Sequence, residues 1–156
     1  MALTPFFHPL DAVASWNRLY GPRGFVQYQF VVPFGAELVV RRVLAALAAA
    51  RSACCLTVLK RFGPGHGMLS FPIEGWTLAF DVPAAQPGLG ALLDGFDRSV
   101  AEAGGRVYLA KDARLSPDAF RRMYPGYPDW LAIKQRLDPH GRFSSSLSRR
   151  LRMACP

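Results

Sequence analysis

Two glutamines spaced by two, Gln27 and Gln29, lie inside the alternating run Phe25–Val32. At that spacing both amides leave one face of a strand, and each carries a donor and an acceptor. Lys111 follows the short run Arg106–Ala110, where a strand stops and a polar loop begins. A rigid element aims a side chain at such a point while backbone pairing is already ending. The same position also suits an exposed lysine whose stem lies along apolar surface. Other arrangements that could do chemistry are missing. Ser144-Ser145-Ser146 is not set in a nucleophile elbow, and His8, His66 and His140 are isolated from one another in sequence. Cys54 and Cys55 are adjacent, Cys155 is in the tail, and no CxxC or His/Cys ligand spacing occurs. The expectation is therefore no metal, no disulfide framework, and reduced thiols.

Composition narrows the class. A chain of 156 residues with 51% apolar and 19% charged content is one globular domain or a large fragment of something bigger. The net charge of +8 favours anionic ligands. Apart from Arg149, Arg150 and Arg152 the basic residues are scattered, and no nucleic-acid-binding motif is present. No charged n-region precedes an apolar run, so no signal peptide is expected. Leu38–Ala50 is interrupted by Arg41 and Arg42 and is too short to span a bilayer. The expected location is the cytoplasm, free or peripheral to a membrane.

The elements that must position the glutamines and the lysine follow from periodicity. Residues 1–23 read as a lead-in, with a short helix over Leu10–Tyr20 ended by Gly21-Pro22. Strands are expected at Phe25–Val32, Cys54–Phe62, Trp76–Val82 and Arg106–Ala110. Helices are expected at Ala36–Arg51, with an apolar stripe of Leu38, Val39, Val43, Leu44 and Leu47, and at Leu89–Ala103, with Leu92, Leu93, Phe96 and Val100. The glycine-rich stretch through Gly67 lacks phosphate-cradle spacing and reads as a connector. Ser116-Pro117 should cap a short helix to Met123. Asp129–Leu137 and Ser144–Arg152 should form two more, with a turn at Asp138–Gly141 between them.

Strand, helix, strand, strand, helix, strand is the order of a ferredoxin-like, split-βαβ domain of the α+β class. Its antiparallel sheet places the first and third strands side by side in the centre, the fourth beside the first, and both helices on one face. The expected domain limits are 24–115 for the core and 116–156 for a helical extension. Tyr28, Phe30, Leu78, Phe80, Val107 and Leu109 should face the helices. Gln27, Gln29, Thr77, Ala79 and Tyr108 should gather on the opposite face, either as a ligand-facing surface or domain interface or as a face open to water.

Several segments resemble one family in order along nearly the whole chain. They are His8-Pro9-Leu10-Asp11 with Trp16-Asn17-Arg18, GFVQYQFVVP at Gly24–Pro33 and LKRFG at Leu59–Gly63. They continue with LSFPIEGW at Leu69–Trp76, GGRVYLAKDAR at Gly104–Arg114, and Asp138-Pro139 followed by SRRL at Ser148–Leu151. Together they resemble the C-terminal part of FAD-linked oxidoreductases of the decaprenylphosphoryl-beta-D-ribose oxidase type, within the vanillyl-alcohol-oxidase and sugar-lactone-oxidase superfamily.

The resemblance implies oxidation of a sugar-like hydroxyl by hydride transfer to FAD, with this part of the chain capping the flavin and an N-terminal domain holding it. The implied partners are an FAD-binding domain or chain and a sugar or polyprenyl-phosphate sugar. No pyrophosphate-binding segment is found in these residues, so an inactive fragment is expected when the chain is alone. Residue by residue, the resemblance gives Lys111 a catalytic and cofactor-binding role and Tyr108 a cofactor-binding one. It gives Lys60, Phe62, Gln27, Gln29 and Thr77 to the substrate. Mycobacterial-type members carry asparagine and cysteine at the positions of Thr77 and Ala79, so the resemblance does not imply an identical substrate. Strict alternation sets Lys60 with Leu56 and Val58 on the apolar side, so a bulge near the strand end is expected to bring it into the pocket. A different class of function, a stand-alone ferredoxin-like module binding a protein or nucleic acid through its open face, fits the same pattern of elements.

Overall fold

The computed structural model describes residues 14–15, 18 and 20–153. The expected helix over Leu10–Tyr20 and most of the lead-in lie outside the described residues. The remaining elements are β1 (Phe25–Pro33), α1 (Glu37–Ala49), β2 (Thr57–Phe62), β3 (Gly75–Pro83), α2 (Leu89–Glu102), β4 (Arg106–Val107), α3 (Pro117–Met123), α4 (Tyr127–Leu137) and α5 (Ser146–Arg150). The sheet order is β2-β3-β1-β4 and every pairing is antiparallel, the ferredoxin-like arrangement.

The core lies between sheet and helices because β1 and β3 alternate in phase. Tyr28 faces Phe80 and Phe30 faces Leu78 across the pair, and all four are buried with Val32 and Val82. The helices supply Val39, Val40, Val43, Leu47, Leu93, Phe96 and Val100. The stripe on α1 is rotated from the expected one. Leu38 and Leu44 are 54% and 40% exposed, while Val40 is buried. On an alanine-rich helix two neighbouring stripes have similar apolar content, and packing against the sheet selects one of them. The Tyr28 hydroxyl would be unpaired in this core. It donates to Asp97 Oδ1 at 2.7 Å, and Arg114 Nη1 donates to Asp97 Oδ2 at 2.8 Å.

The last strand is shorter than the sequence suggests. β4 ends at Val107, and Leu109–Lys111 forms a single 3-10 turn. Tyr108 still donates its N–H to Gln29 O at 2.8 Å, which extends pairing by one residue. Gly105 enters β4 so close to β1 that a Cβ there would collide with the Val31 carbonyl. Downstream, Ser116 Oγ accepts from Ala119 N at 3.2 Å with Pro117 opening α3, the cap expected from sequence.

Candidate functional site

The face of the sheet away from α1 and α2 carries the even-numbered positions of β2 and the odd-numbered positions of β1 and β3. Gln27 lies opposite Asp81, Gln29 opposite Ala79 and Val31 opposite Thr77; on the other side of β3, Val58 lies opposite Ala79 and Lys60 opposite Thr77. Leu56, Val58 and Lys60 therefore share this face, as strict alternation requires, and the β2–β3 register is continuous with no bulge. The expectation of a bulge is overturned, because the face given to β2 was wrong. As an edge strand, β2 extends beyond the cover of the helices. Leu59, on the helix side, is 52% exposed, whereas Leu56 and Val58 on the other side are half-buried.

On this face Gln27, Gln29, Leu56, Val58, Lys60, Thr77, Ala79, Phe80, Asp81 and Lys111 line a shallow cavity of about 90 Å³. Five of the residues singled out from sequence thus meet at one place: Gln27, Gln29, Lys60, Thr77 and Lys111. Lys111 reaches the cavity from the 3-10 turn that follows β4 rather than from a strand end. Among the described residues, neither Lys60 nor Lys111 forms an ion pair. The polar side chains of the central strands do pair. Gln27 Nε2 donates to Asp81 Oδ1 at 3.0 Å, and Gln29 Nε2 donates to Thr77 Oγ1 at 3.0 Å.

The other two sequence-derived residues, Phe62 and Tyr108, do not line the cavity. They flank it through Phe71, which the sequence reading left unassigned. Phe71 stacks on Tyr108 with centroids 4.5 Å apart and meets Phe62 edge-on at 5.8 Å. Phe62 is on β2 and Tyr108 follows β4, at opposite edges of the sheet. Residues 63–74 therefore cross the open face, and Arg106 Nη1 fastens them by donating to Ser70 O. The glycine-rich stretch read as a connector through Gly67 leads into Ser70 and Phe71, which cover one end of the site. Thr77 and Val31, on the face away from α1 and α2, are also buried.

Asp81 is the polar residue that the functional reading of the sequence missed. It is 1% exposed, and besides Gln27 it accepts from the Tyr20 hydroxyl at 3.3 Å through Oδ2. Burial and the nearby Asp81 carboxylate raise the Tyr20 hydroxyl well above the ordinary phenol range. The available signal was a carboxylate in the interior of a central strand, in phase with Thr77 and Ala79. Behind Lys111, the Asp112 carboxylate accepts from Arg114 N at 2.8 Å, from Leu115 N at 2.7 Å and from Arg150 Nη2 at 2.7 Å. Arg150 Nη1 also donates to Leu115 O at 2.7 Å, so α5 is clamped to the loop that begins at Lys111.

The sheet is ferredoxin-like, and its lysine- and glutamine-lined cavity lies on the face away from α1 and α2. Comparison with known proteins identifies its kind. Residues 84–151 match the family model of D-arabinono-1,4-lactone oxidase. The chain is 43% identical over 152 residues to decaprenylphosphoryl-beta-D-ribose oxidase of Mycolicibacterium smegmatis, covering 97% of this chain and 33% of that protein. It is 44% identical over 129 residues to an uncharacterized protein in the mprA 5' region of Streptomyces coelicolor, covering 82% of this chain and 35% of that one. By these matches the chain corresponds to the C-terminal domain of FAD-linked oxidases of the decaprenylphosphoryl-beta-D-ribose oxidase type. It spans about a third of the length of the curated relatives it matches. No helix among the described residues is long and apolar enough to cross a membrane.

Proposed function

We propose that this chain is the substrate-facing cap portion of an FAD-dependent oxidoreductase that oxidises a sugar-like hydroxyl by hydride transfer. In this reading, 24–115 is the core, 116–156 a helical brace, and FAD is held by a separate FAD-binding domain or chain. The observation that carries it is the meeting of Gln27, Gln29, Lys60, Thr77 and Lys111 around one cavity. Two ammonium groups that form no ion pair among the described residues, beside two amides, suit hydroxyls and anionic oxygens together, so the residues fit a sugar phosphate and the polar edge of a flavin. When bound, the flavin would accept the hydride. Lys111 would hold positive charge where that transfer builds negative charge. Lys60 would hold a substrate hydroxyl or phosphate oxygen, with Gln27, Gln29 and Thr77 hydrogen-bonding beside it. Tyr108, braced flat against Phe71, would form one wall of the cofactor side, and Phe62 would close the substrate side.

The test is absorbance of the purified chain, alone and coexpressed with an FAD-binding domain of the same oxidase type. The expected result is a colourless chain alone and a flavin-loaded complex in coexpression. Flavin bands from the chain alone, or no association with any such domain, would overturn the reading.

A further inference from the structure

Asp81 has a consequence for what the cavity can recognise. A carboxylate oxygen engaged as an acceptor needs a donor opposite it, and the only donors of a glutamine side chain are on Nε2. The contact from Gln27 Nε2 to Asp81 Oδ1 at 3.0 Å therefore sets which way the Gln27 amide is turned. Asp81 is itself held: its other oxygen takes the Tyr20 hydroxyl at 3.3 Å, and its N–H donates to Leu56 O at 3.1 Å. Tyr20 and Asp81 are 5% and 1% exposed, so water does not compete freely for either group. Among the described residues no donor reaches Gln27 Oε1, and that atom is not among the buried ones left without a partner.

We infer that Asp81 is a positioning residue that turns the Gln27 amide so that its carbonyl oxygen, not its NH2, faces the ligand cavity. The cavity then takes from its ligand an O–H or N–H donor at Gln27, next to the ammonium groups of Lys60 and Lys111, which take acceptors. The inference rests on the cap-domain reading for the nature of the cavity, but the amide orientation is measurable without flavin or turnover. The donor has two sources, a sugar hydroxyl or the N–H of a flavin-like ring.

The chain has four glutamines and one asparagine, so its side-chain NH2 region in a ¹⁵N NMR spectrum is sparse. Gln27→Met assigns the Gln27 pair by deletion. In the unsubstituted chain this pair should exchange with solvent roughly tenfold or more slowly than that of an exposed glutamine, the factor a hydrogen bond to a charged group commands. In Asp81→Asn the Tyr20 hydroxyl takes the carbonyl side of the introduced amide and the new NH2 faces Gln27. The Gln27 pair should then turn into the cavity and lose its protection, while backbone dispersion across β1 and β3 stays unchanged. A merely structural Asp81 would alter the backbone and leave the amide as it was. Millimolar methyl β-D-ribofuranoside and lumichrome are the two probes for the donor. Movement of the Gln27 pair with the first marks a hydroxyl, with the second a ring N–H.

An unprotected Gln27 pair in the unsubstituted chain overturns the orientation. A pair that ignores both probes overturns the donor chemistry. Neither result touches the oxidase reading, which stands or falls on flavin loading of the coexpressed complex.

Discussion

Arg150→Ala should unfold the loop behind Lys111 before it disturbs the sheet, and the size of the loss can be worked from the contacts. The substitution removes the donor to Asp112 Oδ2 at 2.7 Å and the donor to Leu115 O at 2.7 Å. The Asp112 side chain is 3% exposed and that of Arg150 is 31% exposed. Removing one partner of a fully buried pair costs about 3–5 kcal/mol. Here water can reach the carboxylate once the arginine is gone, and Oδ1 keeps its two backbone donors, so the loss falls to about 2–3 kcal/mol. For a chain of this length each kcal/mol moves Tm by about 2–4 °C, giving a drop of about 4–12 °C. The assay is urea unfolding followed by circular dichroism, with Arg149→Ala as the control. Among the described residues the Arg149 guanidinium bonds only the hydroxyls of Ser144 and Ser146 at the surface, so its loss should stay within about 0.5 kcal/mol. If Arg150→Ala and Arg149→Ala shift the urea midpoint alike, the clamp carries no stability and the argument fails.

Asp97 should leave a mark on stability in acid. Burial first of all raises its carboxyl from 3.8 to about 6, with the Tyr28 hydrogen bond working against the rise and the nearby Asp112 charge adding to it. An acid held more tightly protonated when folded adds stability that is fully present below about pH 4. That contribution is lost as the pH rises through about 6. Relative to Asp97→Asn, the unsubstituted chain should therefore lose stability between pH 4 and 6, and parallel urea midpoints across that window would refute the shift. In the reconstituted enzyme, Lys111→Met should slow flavin reduction by roughly 100- to 1000-fold, the usual loss for one preorganised charge-stabilising group, with FAD retention unchanged. Stopped-flow rates within a few-fold of the parent would make Lys111 a bystander.

The alternation of β1 and β3 was legible because both central strands are covered on one side by helices, so apolar and polar residues separate cleanly along Tyr28-Phe30-Val32 and Gln27-Gln29. The same rule misled on β2. Its apolar residues Leu56 and Val58 face the cavity and its Leu59 faces water, because the strand is at the sheet edge. Lys60 was then set on the wrong face, although its companions on the strand were right. The end of β4 was overread, since Arg106–Ala110 alternates as a strand does but pairs with β1 only through Arg106, Val107 and the N–H of Tyr108. Phe71 and Asp81 were illegible for another reason. Their roles depend on partners 37 and 54 positions away, Tyr108 and Gln27, and no local pattern announces contacts across that distance.

Three anchors converge on the one cavity, and an ordinary solvated sheet face would require none of them. Tyr20 and Gln27 hold Asp81 at one end, Phe71 joins Phe62 to Tyr108 at the other, and Arg150 fixes Asp112 directly after Lys111. Burying Asp81 and Thr77 to 1% exposure on the face away from α1 and α2 costs desolvation that each hydrogen bond only partly offsets. Replacing such groups with apolar ones of similar shape is often neutral or stabilising, so stability alone gives no reason for a buried carboxylate here. Orientation does give one. A glutamine turned by a carboxylate, and a lysine held by a clamped loop, present fixed polarity to whatever enters, and the hydride transfer proposed here would draw on polarity fixed before the ligand arrives.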